Sequence, residues 1–202
     1  MRLPATALLG ALAAAAFAGA PAAIAAADEP DVPQAQSPAP KSPAEVREEL
    51  YKRLAESKDA DETDGVVSLL IVSYGQTGSD TADLLLERSR KAIEAKDYDA
   101  AAKILDAAIA FLPDAAATWN ARATLRYLDD DYDGSMADIA QTLKREPRHL
   151  GALMGMASIL KAGDKKKEAL DVYERVLSIA PHWSPAEEAR DKLKAELAGQ
   201  AL

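Results

Sequence analysis

The amino-acid sequence predicts an all-α protein, an α-solenoid of antiparallel helix pairs that ends in a C-terminal capping helix. Three prolines, Pro113, Pro147 and Pro181, follow one another at intervals of 34 residues, and a fixed period of this length is typical of helical repeats. Before each proline, small, large and small residues recur at intervals of four and three, which places them on one face of a helix. These sets are Ala101, Leu105, Ala108; Ser135, Ile139, Thr142; and Ala169, Tyr173, Val176.

Residues 1–27 have the features of a secretory signal peptide. Arg2 precedes an uncharged apolar stretch, and the small residues Ala25 and Ala27 stand where a signal peptidase cleaves. We expect cleavage after Ala27 and a periplasmic protein. An uncleaved membrane anchor is the competing interpretation because the stretch carries no charge, but its alanine-rich composition and internal proline favour the signal peptide.

The composition excludes several classes of function. The chain has 33 acidic and 24 basic residues and a formal net charge of -9, so nucleic-acid binding, which needs basic surface, is not expected. It contains no cysteine, so an exported form cannot be held by disulfides and must rest on packing. The same absence excludes thiolate metal sites, cysteine nucleophiles and a lipoprotein anchor.

Residues 28–79 lead into the repeats. Residues 28–42 are rich in proline and poor in large apolar side chains, which predicts a disordered spacer. Residues 43–79 carry apolar positions 34 residues before those of the first repeat, which predicts a degenerate N-terminal helical hairpin stacked on it. Its stretch VVSLLIVSY could form a buried strand, but a lone strand would have no pairing partner, so a helix is favoured.

Residues 80–181 contain three units that closely resemble the tetratricopeptide repeat. The matching residues of the middle unit are Trp119, Ala123, Ser135, Ile139 and Pro147, and those of the third are Ala157, Ala169, Tyr173 and Pro181. The resemblance implies helix pairs stacked into a right-handed array, with a concave surface formed by the first helix of each pair.

The resemblance also implies a protein or peptide partner on that concave surface. The partner-binding residues that it selects are Leu86, Arg90, Ile93, Asn120, Thr124, Tyr127, Met154, Ser158 and Lys161. Leu86 and Arg90 replace the lysine and asparagine of the family's carboxylate clamp, so a free C-terminal carboxylate is not the expected ligand. An amphipathic helix or extended segment with an acidic residue suits this surface, with Tyr127 as its anchor.

Two groups of residues could be mistaken for metal sites. The sequence D-x-D-x-D-G at 129–134 begins like a calcium loop, but Ala140 stands where the closing glutamate should be. We therefore expect a turn between helices, capped by aspartate. His149 and His182 lack a second ligand at helical spacing, which favours packed turn histidines over a metal pair. No cofactor is expected.

Several residues are assigned structural roles. Arg122 replaces an apolar residue of the repeat pattern, and Asp138 on the facing helix is its expected partner. Trp119 and the repeat prolines Pro113, Pro147 and Pro181 are expected to support the packing. Residues 182–202 predict the capping helix and tail, with Ser184 as its N-cap in the same SPAE string that places Ser42 before the first helix.

No nucleophile, phosphate-loop or dinucleotide motif occurs in the chain, so we expect no enzyme. The function implied by the resemblance is a non-catalytic periplasmic scaffold that binds a partner segment. The alternative is an envelope or cytochrome assembly factor that holds client peptides transiently.

Overall fold

The computed structural model describes residues 40–199, and every regular element in that range is an α-helix. The all-α prediction is confirmed, and VVSLLIVSY is helical. The predicted signal peptide and most of the spacer, residues 1–39, lie outside the described residues. Among the residues described, no helix is both long and apolar enough to span a bilayer. The helices are α1 Pro43–Glu56, α2 Ala60–Tyr74, α3 Asp80–Glu94, α4 Tyr98–Phe111, α5 Ala116–Leu128, α6 Tyr132–Arg145, α7 Leu150–Ala162, α8 Lys166–Ile179 and α9 Ser184–Gly199.

Several helices begin after a residue whose side chain caps them, as Ser42, Ser79 and Asp131 do. Ser42 and Glu45 form a reciprocal capping box on α1, with Ser42 N donating to Glu45 Oε2 at 2.7 Å. Ser184 was expected to cap α9 but is instead its first residue. Asp64 of α2 accepts hydrogen bonds from Ser184 N at 3.4 Å and Ser184 Oγ at 3.1 Å. The cap comes from a distant helix, which the local SPAE string cannot reveal.

The repeats are the helix pairs α3–α4, α5–α6 and α7–α8, which pack through small residues. Ala101, Ser135 and Ala169 on the second helices are at most 1% exposed. Because the paired helices approach closely, Ser135 Oγ of α6 can donate a hydrogen bond to the Ala123 carbonyl of α5 at 2.8 Å. Each repeat proline follows a second helix by two residues and ends it.

The turn inside each repeat has one residue in the left-handed region. These residues are Lys96, Asp130 and Asp164, with φ of 58°, 59° and 58°, and they recur at the repeat period. In the middle turn Asp131 caps α6 by accepting from Gly134 N at 2.9 Å. A Cβ at Gly134 would lie 2.1 Å from Asp131 Oδ2, so a larger residue there would displace the Asp131 carboxylate from its present position. Within residues 40–199, no cluster of three or more metal-ligating side chains is present.

The hairpin of α1 and α2 does not stack on the first repeat as expected. Its apolar residues, including Leu54 and Leu70, instead pack with Leu150, Val176 and Trp183 of the third repeat and the link that follows it. This is the largest apolar cluster of the fold, and Leu54, Leu70, Leu150 and Val176 are fully buried in it. The stacking prediction is therefore wrong, because the hairpin turns back over the array to cover the third repeat.

Hydrogen bonds from buried side chains of α1 and α2 also hold this hairpin against the third repeat. The hydroxyls of Tyr51 and Tyr74 lie 2.8 Å apart, Leu150 N donates to Tyr74, and Tyr51 donates to the Arg148 carbonyl at 3.0 Å. Burial raises the pKa of both tyrosines, so both hydroxyls stay protonated. Thr63 Oγ1 adds a bond to the Pro181 carbonyl at 3.1 Å. The hairpin is therefore held by directional contacts as well as by its apolar face.

Arg122 and Asp138 form the expected ion pair. Arg122 Nε and Nη2 donate to the two Asp138 oxygens at 2.9 and 2.8 Å, and the Asp138 side chain is only 2% exposed. Asp138 also lies 3.0 Å from Arg126 Nη1, and Arg122 also reaches Asp106. These bonds raise the pKa of Arg122. One buried carboxylate thus organises two cations between α5 and α6.

Trp119 lies beside this ion pair and joins it to the repeat proline. Its indole Nε1 donates to the Pro113 carbonyl at 2.8 Å, and Arg145 Nε donates to the same oxygen at 2.8 Å. The guanidinium carbons of Arg122 and Arg145 lie 5.1 and 4.9 Å from the Trp119 ring centroid. The tryptophan therefore links the first repeat's end to both helices of the second.

We expect Leu70→Ala to lower the free energy of unfolding by about 2–5 kcal/mol, because it opens a cavity where α2 docks on the third repeat. Val72→Ala on the same helix is the matched control, since Val72 is 66% exposed. Its effect should stay within about 0.5 kcal/mol. Urea unfolding measures both variants, and equal losses would contradict the docked hairpin.

We expect Asp138→Leu to lower the free energy of unfolding by about 2–4 kcal/mol, since it leaves the Arg122 guanidinium half-buried without its main counterion. Arg122→Leu should cost less, because Asp138 keeps Arg126 and the variant restores an apolar residue. Urea midpoints of the two variants compare them. If the midpoints coincide, Asp138 is not the centre of this network.

Candidate functional site

The first helices of the repeats, α3, α5 and α7, line a cavity together with the end of α2. It has a volume of about 360 Å³. Leu86 and Ile93 of α3, Ala121 of α5 and Ile71 of α2 make its walls mainly apolar. Such a surface is suited to apolar side chains of a bound segment.

A second cavity of about 180 Å³ continues the first between α5, α6 and α7. Asn120, Thr124 and Gly151 line both cavities, so the two form one depression, which we term the concave groove. Tyr127 lines the second cavity and remains 39% exposed. Its ring packs edge-on against Tyr132 with centroids 5.5 Å apart, so the aromatic side chain is held in place at the surface.

The structure brings most of the predicted partner-binding residues to this groove. Those that line it are Leu86, Arg90, Ile93, Asn120, Thr124, Tyr127 and Ser158. Met154 and Lys161 line neither cavity. Met154 packs against the apolar clusters around the third repeat, and Lys161 Nζ lies 3.4 Å from Glu196 of α9. The docked hairpin and the capping helix occupy the surroundings of these two residues, which the repeat register alone would leave open.

The positive charge of Arg90 is partly neutralised by two neighbouring glutamates. Its guanidinium donates to Glu87 at 2.7 Å and also pairs with Glu94 on the same helix. These carboxylates raise the pKa of Arg90, and Arg90 lowers the pKa of Glu87. Because all three side chains are exposed, water screens the pairs and leaves them free to exchange partners.

Other groove residues could not be found from the repeat pattern. Ile71 and Tyr74 belong to the hairpin, and they reach the groove only because α2 docks against the third repeat. His149 stacks on Tyr74 with ring centroids 3.8 Å apart and lines the same cavity. His149 is buried, as predicted for a packed turn histidine, whereas His182, for which the same was predicted, is exposed. The place of His149 at the end of the groove depends on the hairpin.

Comparison with known proteins places this architecture among its relatives. A TPR repeat-containing protein of Rhizobium etli is 39% identical over 164 residues, covering 81% of this chain and 80% of the relative. No family model matches the chain.

Solved structures support the fold. The first TPR domain of Spaghetti (RPAP3), bound to the HSP90 peptide SRMEEVD, superposes with a TM-score of 0.54 and 22% identity, covering 58% of this chain and 93% of that domain. The first TPR domain of human RPAP3, solved by NMR, also gives a TM-score of 0.54 and 22% identity, over 59% of this chain and 94% of that domain.

The period, the helix pairs, the turn that recurs in every repeat and the relative that matches most of both chains agree with one another. The chain belongs to the tetratricopeptide repeat family.

Proposed function

We propose that the protein is a non-catalytic interaction scaffold that binds a segment of a partner protein in the concave groove. The observation that carries the proposal is the continuity of the two cavities along α3, α5 and α7, which share Asn120, Thr124 and Gly151. Tetratricopeptide repeats typically serve as interaction surfaces without catalysis. The solved RPAP3 domain bound to an HSP90 peptide supports a peptide as the kind of ligand.

The chemistry of the groove favours a short segment with apolar side chains. Leu86, Ile93 and Ile71 offer apolar contacts in the larger cavity, and Tyr127 offers an exposed aromatic ring in the smaller one. The amide of Asn120 lies between the two cavities, where it can hydrogen-bond a backbone group of an extended segment. Arg90 favours an acidic side chain on the bound segment, and its ion pairs with Glu87 and Glu94 weaken this preference.

We further propose that the protein acts in the periplasm after removal of residues 1–27. The support is the arrangement of Arg2, the uncharged apolar stretch and the small residues Ala25 and Ala27. On expression in a Gram-negative bacterium, we expect a periplasmic protein whose mass and N-terminal sequence begin at Asp28. A full-length protein in the membrane fraction would favour the anchor, and a full-length protein in the cytoplasm would contradict export.

The groove is tested by photo-crosslinking followed by binding measurements. A photoreactive residue at Thr124, which is exposed in the groove, should capture a partner, whereas one at Lys103, exposed on the second helix α4, should not. Tyr127→Ala should then weaken binding of the identified partner by about 2 kcal/mol, because exposed aromatic residues dominate interface energies. Arg90→Ala should weaken it more in low salt than in high salt.

Phe111→Ala is the matched control for this measurement. Phe111 is 53% exposed at the end of α4, so it offers a comparable aromatic surface outside the groove. Unchanged affinity in Tyr127→Ala and Arg90→Ala, together with weaker binding in Phe111→Ala, would place the partner elsewhere. A single stoichiometric partner favours the scaffold, whereas capture of many unfolded clients favours the assembly factor.

A further inference from the structure

A small polar cavity of about 150 Å³ lies beside the groove, where α1 and the start of α5 meet the start of α7. Arg47, Arg145 and His149 line it together with Ala115 and Ala116 at the N-terminus of α5. Tyr74, Ala117 and His149 line both this cavity and the larger groove cavity, so the two adjoin. None of the functions described above uses this cavity.

His149 presents an unused donor in this region. Its side chain is 2% exposed, and Nδ1 accepts a hydrogen bond from Ala152 N at 3.1 Å, which caps α7. Burial lowers the pKa of His149 to about 4, so the ring is neutral at pH 7 and carries its single proton on Nε2. Nε2 is buried and has no hydrogen-bond partner. A buried donor in this state costs free energy until an acceptor meets it.

Arg47 supplies a second donor of the same kind. Its Nε is buried without a hydrogen bond, although it lies 3.4 Å from a Glu146 oxygen, while Nη1 donates to the Ser73 carbonyl. Across residues 40–199, the buried side-chain polar atoms without a hydrogen-bond partner are Arg47 Nε and His149 Nε2 alone. Both belong to residues that line this one cavity, and both are donors. The matching ligand group is therefore an acceptor.

The N-terminus of α5 adds backbone donors. Ala115 stands at its N-cap and provides no side-chain hydrogen bond, whereas Asp97 and Asp131 cap α4 and α6. The first N–H groups of a helix, here those of Ala116 and Ala117, have no partner within the helix and form its positive end. Both residues line the cavity, which makes this end suited to an anion.

The charged residues around the cavity favour an anion with a single negative charge over a dianion. Arg47 and Arg145 are balanced in number by Glu146 and Asp114, which line the same cavity. A dianion such as phosphate would be repelled by two carboxylates, whereas a single negative charge can accept from the donors that lack a hydrogen bond with less repulsion. The small volume also favours a compact planar group.

We propose that this cavity is a binding site for one carboxylate group. The carboxylate accepts from His149 Nε2, from Arg47 Nε and from the first N–H groups of α5. It can belong to a small free acid or to an acidic side chain of a segment that lies in the adjoining groove. The site does not depend on the proposed function, since a free acid can occupy it without a protein partner.

Acetate tests the site directly, titrated into the purified protein against chloride at constant ionic strength and pH 7. Acetate should shift the amide NMR signals of Ala116 and Ala117 and the ring nitrogen signal of His149 in a saturable way, and should raise Tm. The absence of these shifts would overturn the proposal. Stronger effects from inorganic phosphate than from acetate would overturn the assignment to a carboxylate.

Ala115→Asp places a carboxylate of the chain itself at the N-cap, where Ala115 has an extended backbone with φ -80° and ψ 118°. We expect this variant to raise Tm by about 2–4 °C and to lose the acetate response. Lys165→Asp is the matched control, because Lys165 is the N-cap of α8, makes no side-chain cap bond and lies outside this cavity. It should keep the acetate response. Loss of the response in Lys165→Asp, or its persistence in Ala115→Asp, would overturn the proposal.

Two peptides distinguish the sources of the carboxylate: acetyl-Ala-Ala-Glu-Ala-Ala-amide and its glutamine counterpart. If the group arrives on a chain, the glutamate peptide shifts the same signals at lower concentration than acetate, and the glutamine peptide does not shift them. If the group is a free acid, acetate shifts these signals at lower concentration than the glutamate peptide. Equal shifts from both peptides would show that the carboxylate is not recognised.

Discussion

A helix pair in this chain has an apolar face that it cannot cover by itself, and the fold depends on how each of these faces is covered. Within the repeats, small residues such as Ala101, Ser135 and Ala169 let adjacent helices approach closely. At the third repeat two further elements are needed. The capping helix α9 packs on Tyr173 through Leu193, and the hairpin of α1 and α2 covers the residues around Leu150.

The repeats could be read from the sequence because their signals are local. Contacts within a helix pair, or between neighbouring pairs, account for the 34-residue period, the small residues and the prolines. These sequence features were therefore enough to predict the helices of the repeats correctly. The docking of the hairpin could not be predicted in this way. The apolar pattern of α2 shows which face is buried but not which surface covers it, and the same pattern suits the first or the third repeat.

The same limit explains the errors at the candidate site. Residues of α3 and α5, such as Leu86 and Asn120, line the groove as the repeat register implies. Met154 on α7 was assigned to the groove, but lies within packing made by the hairpin and α9. The two buried donors without a hydrogen bond, Arg47 Nε and His149 Nε2, are also products of this docking, because Arg47 belongs to α1 and His149 to the start of α7. No local motif connects residues so far apart in sequence.

The N-terminal hairpin is synthesised first but can dock only after the third repeat has been made. The bond from Tyr51 to the Arg148 carbonyl spans 97 residues, and that from Thr63 to Pro181 spans 118. The repeats depend on contacts between residues close in sequence, so they can fold as the chain is synthesised. The hairpin of α1 and α2 is synthesised before them, but the third repeat, on which it docks, is synthesised last of the three. Until then the apolar face around Leu70 has no cover. A chain that leaves the ribosome therefore passes through a stage in which this face is free to meet other molecules, including chaperones.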